Sequence, residues 1–301
     1  MSGTSENQPR GLDLTAMLPV VLAVAQQAGD LVLTMQANGL AQVSTKSNPS
    51  DLVTEADVAS ETLIRNELHN HYPTINLWGE ESNRPPDSEY FWVVDPIDGT
   101  TNFANNLPYF AVNIALAQAG AADTAQDATI LLGVTLELPA RTLYFAQLGQ
   151  GAYRRTVDNR ETRLQVNNVD HLDRAFLTTG FPYHRSEHGD NNLSEFGYFM
   201  ARSQGVRCMG TAAMDLVNVA RGATAGYWEG WLNAWDAAPG VLLVREAGGQ
   251  VTDYLGRPWQ LNSRSLIASN GQRALHAALV EGIQQARANL TAVKLPTSEL
   301  S

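Results

Sequence analysis

Apolar positions recur at helical spacing from Asp13 to about Met35, in LTAMLPVVLAVAQQAGDLVLTM. This predicts a packing helix, with Pro19 close enough to its start to be tolerated. A second helix is predicted over Thr54–His71, opened by TEAD, where Thr54 caps and Asp57 reaches back as in a capping box. The runs INLW, YFWVV, AVNIALA, ATILLGVTLE and RTLYFAQ follow, β-rich and closely spaced by turn residues, so the first half reads as two helices against a largely antiparallel sheet. After about residue 175 the pattern alternates: strand AFLTT, a helix from Leu193, strand VRCM, a helix from Ala212, strand AGYWE, a helix from Asp236, strands GQVTD and SLIAS, and a closing helix from Gln272. That is a second α/β unit. The expected organisation is an N-terminal α+β domain at 13–190 and a smaller C-terminal α/β domain at 191–289, with the change of pattern near 175–200. Polar tails at 1–12 and 290–301 are expected to be disordered.

Composition narrows the function classes. The chain has 301 residues, 44% hydrophobic and 17% charged, enough for a sizeable core and unlike a disordered protein. A formal net charge of −11 argues against binding the phosphate backbone of nucleic acid and favours cations as partners. The opening MSGTSENQPR lacks the basic-then-apolar order of a secretory signal, and no apolar run is expected to reach the ~18 residues that span a bilayer. With a single cysteine, Cys208, there is no internal disulfide framework. The expectation is a cytoplasmic protein without membrane partners.

Acidic residues stand where strands or turns end: Glu80 in WGEES, Asp95 and Asp98 in DPIDGT, Asp236 in AWDAAPG. Each has a plain alternative. Asp95 and Asp98 suit a turn, Glu80 and Glu81 a solvated loop, and Asp57, Thr100 and Asp236 helix caps. Taken together, carboxylates and a backbone carbonyl form the donor set of a hard cation such as Mg²⁺. The three-residue spacing lets Asp95 and Asp98 converge with the Ile97 carbonyl between them, and two metals could share Asp95. If Gly99, Thr100 and Thr101 open a helix, their N–H groups make a phosphate site beside the metals.

WGEES, DPIDGTTNF and WDAAPG, with DLVTEAD upstream, resemble the signature blocks of the inositol monophosphatase family, Mg²⁺-dependent and lithium-sensitive phosphatases; the match runs from about Leu14 to Leu279. KSNPSDLVTEAD, GTAAMDL and LLVREAGG are similar to other stretches of that family. The resemblance implies a layered αβαβα sandwich of the inositol monophosphatase and fructose-1,6-bisphosphatase type. It implies a first metal on Glu80, Asp95 and the Ile97 carbonyl, a second on Asp95, Asp98 and Asp236, and a third, weaker one near Glu80. The nucleophile it implies is a metal-bound water oriented by Thr100 with Asp57 behind it, attacking in line without a covalent enzyme intermediate. The phosphate would rest on the amides of Gly99 and Thr100.

Substrate hydroxyls, on the same resemblance, would meet Asp98, Gly210, Thr211, Ala212 and Glu229, which favours a polyol phosphate such as myo-inositol 1-phosphate. Histidinol phosphate, fructose 1,6-bisphosphate or another sugar phosphate is the alternative, and a non-catalytic binding or regulatory protein on the same fold is a second. DPIDGTTNF is more similar to the inositol type than to relatives acting on 3′-phosphoadenosine 5′-phosphate. A homodimer is implied. Lys46 matches a family lysine near the metals, with a solvated surface as the alternative, and Glu229 is open to being an exposed strand end. Pro239 departs from the family pattern and is expected in a first helical turn, where it is tolerated. Tyr227, Trp228, Trp231 and Trp235 read as core, interface or substrate contacts. His184, Arg185 and His188 in the loop 178–190 read as a solvated loop or a second anion site, and His69 and His71 as exposed.

Overall fold

The computed structural model describes residues 11–39, 43–46, 52–82, 87–120, 128–183, 185–186 and 189–288. Most of the two tails, together with His184 and His188, lies outside the described residues.

Helix α1 (Leu14–Ala37) begins where Asp13 accepts a hydrogen bond from the Ala16 N–H, as the apolar pattern predicts. Strands β1 (Val43–Thr45) and β2 (Leu52–Thr54) form a small ribbon that the pattern missed. They lead into α2 (Glu55–His71) and then β3 (Asn76–Gly79), β4 (Tyr90–Asp98), the short α3 (Thr100–Ala104), β5 (Phe110–Gln118), β6 (Thr129–Leu138), β7 (Thr142–Gln147), β8 (Gly151–Arg155) and β9 (Glu161–Arg163). Strands β3 to β9 lie side by side in chain order as a seven-stranded sheet, antiparallel except for the β3–β4 pair.

A second sheet starts at β10 (Phe176–Thr179). After it come α4 (Leu193–Met200), β11 (Gly205–Cys208), α5 (Ala212–Ala220), β12 (Gly226–Gly230), α6 (Ala234–Glu246), β13 (Gln250–Thr252), β14 (Ser265–Ser269) and α7 (Arg273–Ala288). Its strand order is β11-β10-β12-β14-β13.

Burial arranges these elements in five layers, α1 and α2, the large sheet, α5 and α6, the small sheet, then α4 and α7. On the outer face of the large sheet Val21, Leu22, Ala25, Ala28 and Val32 of α1 join Val112, Ile114, Val134 and Leu136 in one apolar cluster. On its inner face Val93, Ala115 and Tyr144 meet Leu216, Val217, Val241 and Leu242, and the same cluster continues to Tyr227 and Ala268 of the small sheet. This is the αβαβα sandwich expected, and a site between the sheets is held from both sides.

Three expectations need correction. The DPID stretch is not a turn: β4 runs through it, and the register shifts so that Asp95 faces Asn113 while Asp98 faces Ala111. Two residues on β4, Pro96 and Ile97, therefore oppose one on β5, Val112, a β-bulge, which also accommodates the missing N–H of Pro96. Helix α6 starts at Ala234, two residues before Asp236, so Pro239 lies inside it and the Trp235 carbonyl loses its usual i+4 donor. Helix α1 is long and apolar enough by length and composition to cross a bilayer, contrary to expectation. Its buried stripe packs on the sheet, as a core helix does.

Candidate active site

Between the two sheets opens a cavity of about 1060 Å³ whose lining includes Glu80, Asp95, Ile97, Asp98, Gly99, Thr100, Gly210, Thr211, Ala212, Glu229 and Asp236. Asp57 stands behind it, 1% exposed, in contact with Thr100. Residues scattered over 180 positions of sequence thus meet at one place.

The bulge in β4 does the first part of the work. Asp95 is 2% exposed, and its Oδ1 accepts from the Ile97 N–H at 3.0 Å, which fixes the carboxylate against its own strand. Asp98, at the far side of the bulge, accepts through Oδ2 from the Thr211 hydroxyl and from the Ala213 N–H at 2.7 Å. It therefore sits at the opening of α5, where free backbone donors favour negative charge. Gly99 follows with φ +90°, and a Cβ there would lie 3.2 Å from the Gly210 carbonyl oxygen, so glycine is what lets the chain turn into α3 against the GTA segment.

Capping a helix and serving the cavity are compatible in one carboxylate. Asp57 Oδ2 accepts from the Thr54 N–H at 2.8 Å and hydroxyl at 2.5 Å, completing the cap of α2. Its Oδ1 lies 3.2 Å from the Thr100 hydroxyl, which is also 3.0 Å from the Ile97 carbonyl oxygen. Asp236 likewise uses Oδ2 to accept from the Asn233 N–H at 2.7 Å, closing the α6 capping box, while the residue lines the cavity. Glu80 and Glu81 are not a solvated loop: Lys46 Nζ donates to Glu80 Oε1 at 2.8 Å and to Glu81 Oε1 at 2.6 Å. Lys46 is accordingly part of the acidic site. Burial works against its charge, yet the two glutamates hold its pKa well above the ordinary value.

Other residues escaped sequence reading. Asn102 donates through Nδ2 to the carbonyls of Tyr109 (2.8 Å) and Met209 (2.9 Å), pinning Gly210 beside α3. Glu61 of α2 accepts from the Glu81 N–H at 2.8 Å and pairs with Arg65, so α2 sets the WGEES segment. Glu229, which the sequence offers as a substrate contact or an exposed strand end, is half-buried in the cavity wall: it accepts from the Tyr227 hydroxyl at 2.6 Å and abuts Gly180, where any Cβ would fall 2.0 Å from its Oε2. Contacts of this kind join distant segments and leave no local signal. His69 and His71 are exposed, as expected.

The electrostatics are those of an uncompensated anionic site. Burial first, then Glu80, Asp98, Asp236 and Asp57, hold the Asp95 carboxyl well above the ordinary carboxylate range. Asp236 is pushed up well above that range by burial and then by Glu80. Glu80 is pushed up to about 7 by burial despite Lys46, Asp98 to about 6 by burial despite the donors at α5, and Glu229 to about 7 by burial. Among the described residues no three His, Cys, Asp or Glu side chains are drawn together as a closed ligand group, and Glu80 is turned to Lys46. The donor set still fits a hard divalent cation, because it is all oxygen and its charges are buried and mutually repelling.

These shifts fix the sign of a pH effect. Carboxyls with raised folded pKa values bind protons more tightly folded than unfolded, so metal-free stability rises as pH falls from about 8 toward the ordinary values near 4. A cation competes with those protons. The gain in Tm from saturating Mg²⁺ is expected to be larger at pH 8 than at pH 5, measured by calorimetry; an equal gain at both would contradict the assignment.

A model described as the inositol monophosphatase family matches residues 13–288. An inositol-1-monophosphatase of Synechocystis is 36% identical over 273 residues, 90% of this chain and 90% of that one. The Nus factor SuhB of Pseudomonas aeruginosa is 36% identical over 261 residues, 84% of this chain and 91% of that one. Among solved structures, an inositol monophosphatase from Anabaena aligns with a TM-score of 0.77 at 32% identity, covering 91% of this chain and 97% of that one. Matched over nearly its whole length and built on the same fold, the chain belongs to the inositol monophosphatase family, phosphatases that depend on metal and act on phosphorylated sugars or polyols.

Proposed function

We propose that the chain hydrolyses a small polyol phosphate, with myo-inositol 1-phosphate the substrate its cavity suits best, in a reaction that depends on Mg²⁺. The observation that carries this reading is the convergence of Asp95, Asp98, Asp236, Glu80, Thr100 and Glu229 on one cavity. Glu80, Asp95, the Ile97 carbonyl, Asp98 and Asp236 would hold two to three Mg²⁺ ions. When bound, Mg²⁺ supplies Lewis acidity toward the phosphate and makes a nucleophile available at neutral pH.

The chain's own part is positioning. The Thr100 hydroxyl, donating to Asp57, keeps its lone pairs for a nucleophilic water, and Asp57 is held for that task by Thr54. Gly99 and Thr100 open α3, whose first N–H groups have no intrahelical partner and suit phosphate oxygens. On the leaving-group side Asp98, Gly210, Thr211, Ala212 and Glu229 offer acceptors and backbone donors to hydroxyls. Inhibition by lithium, homodimeric assembly and a cytoplasmic location belong to the same reading.

Phosphate release from a panel of esters in Mg²⁺ is the test. The highest kcat/KM is expected on inositol 1-phosphate, above histidinol phosphate, fructose 1,6-bisphosphate and other sugar phosphates. A different preferred ester would move the substrate and keep the chemistry. A second reading, binding without catalysis, draws on the relative described as a Nus factor. Retention of all the acidic positions together with Thr100 and Asp57 favours the enzyme. Negligible turnover on the whole panel, with a stoichiometric macromolecular partner recovered, would reverse the order.

A further inference from the structure

The aromatic stretch 227–235 divides into two populations. Tyr227, Trp228 and Trp235 are 0%, 0% and 5% exposed and fill the core. Trp231 is 46% exposed, lines the cavity and has φ +69°. For a bulky side chain that region is a genuine outlier, and it persists where the surroundings over-determine it, which happens most at ligand sites. The ring is oriented, too. Its Nε1 donates to the Asp190 carbonyl oxygen at 2.9 Å, and the Asp190 side chain pairs with Arg287 of α7 at 2.6 Å.

Two residues earlier, Glu229 lines the same cavity with acceptor capacity beyond the bond it takes from Tyr227. A six-membered polyol ring is amphipathic in a matching sense. Hydroxyls project around its rim, and axial C–H bonds present weakly positive hydrogens on its faces, which an electron-rich indole attracts. An open-chain polyol has the hydroxyls without the face.

We propose that Trp231 is a specificity-determining residue: its indole stacks on the C–H face of a ring-shaped leaving group while Glu229 takes rim hydroxyls. The enzyme accordingly favours phosphate esters of cyclic polyols or pyranoses over open-chain polyol phosphates. This rests on the polyol-phosphate reading above and narrows it.

The test compares kcat/KM for myo-inositol 1-phosphate and glycerol 2-phosphate in the full chain with Mg²⁺. In Trp231→Ala the ratio of the two is expected to fall about fivefold, the scale of one lost ring contact. Trp231→Phe, which keeps an aromatic face, should hold the ratio within about twofold of wild type on the same scale. Trp231→Gly, whose backbone suits the left-handed region, should lose the preference as Trp231→Ala does, so that strain is not the cause. Equal losses on both esters, or an unchanged ratio, overturn the inference and leave the polyol reading standing. A wild-type enzyme that hydrolyses neither ester overturns both.

Discussion

Asp95→Asn is expected to lower phosphate release by about 10³-fold or more, the scale of losing a metal's several kcal/mol of transition-state stabilisation. The reason is placement. Asp95 is the carboxylate that Glu80, Asp98, Asp236 and Asp57 all act upon, and the one expected to touch two metals. The substitution also removes the Mg²⁺-dependent rise in Tm. The metal-free protein, by contrast, should melt at the same temperature or higher. Asn retains an oxygen to accept from the Ile97 N–H, and a repelling buried charge is gone. Calorimetry with and without Mg²⁺ separates these outcomes. A variant that loses activity because its metal-free fold is weaker would make Asp95 a structural residue instead.

Thr100→Ala and Asp57→Asn are each expected to cost about 10²-fold in kcat, within the range of a positioned acid–base group. Combined, they should cost little more than either alone, since a hydroxyl and the carboxylate it donates to act as one unit. Stability should change little in Thr100→Ala. In Asp57→Asn the α2 cap is weakened by about 1 kcal/mol, because Thr54 loses a charged acceptor. A double variant whose losses multiply would show that Thr100 and Asp57 serve separate steps.

Much of the architecture was legible because it is written in period. The stripe of α1, the TEAD cap, the strand runs and the alternation after residue 175 all sit where helical or two-residue spacing puts them. The misses have physical causes. Strands β1, β2 and β9 are three residues each, too short to carry a period. The DPID segment combines turn-forming residues with strand pairing, and a bulge lets both be satisfied where the sequence suggests a turn. The start of α6 was displaced because Asp236 looks like an N-cap but acts at the third helical position, with Asn233 as the cap.

For the site, the acidic residues stood out as a set: each alone has a plain use as a turn, loop or cap residue, and only together do they make the oxygen donor set of a hard cation. What holds them did not. Glu61 and Asn102 act across 20 and 107 positions of sequence, on Glu81 and Met209, and no spacing announces such a pairing; Lys46 was marked by the family resemblance alone, its partner Glu80 lying 34 positions on. Trp231 was visible as an aromatic among aromatics. Its difference from Trp228 and Trp235 lies in exposure and a positive φ, properties of the folded chain.

The role proposed for these carboxylates is a metal site for phosphate-ester hydrolysis. Its most direct test is phosphate release from myo-inositol 1-phosphate by chelator-treated protein as Mg²⁺ is added back. No turnover is expected without metal and a saturable rise with it, absent in Asp95→Asn. Turnover that is indifferent to the chelator and to Mg²⁺ would contradict it.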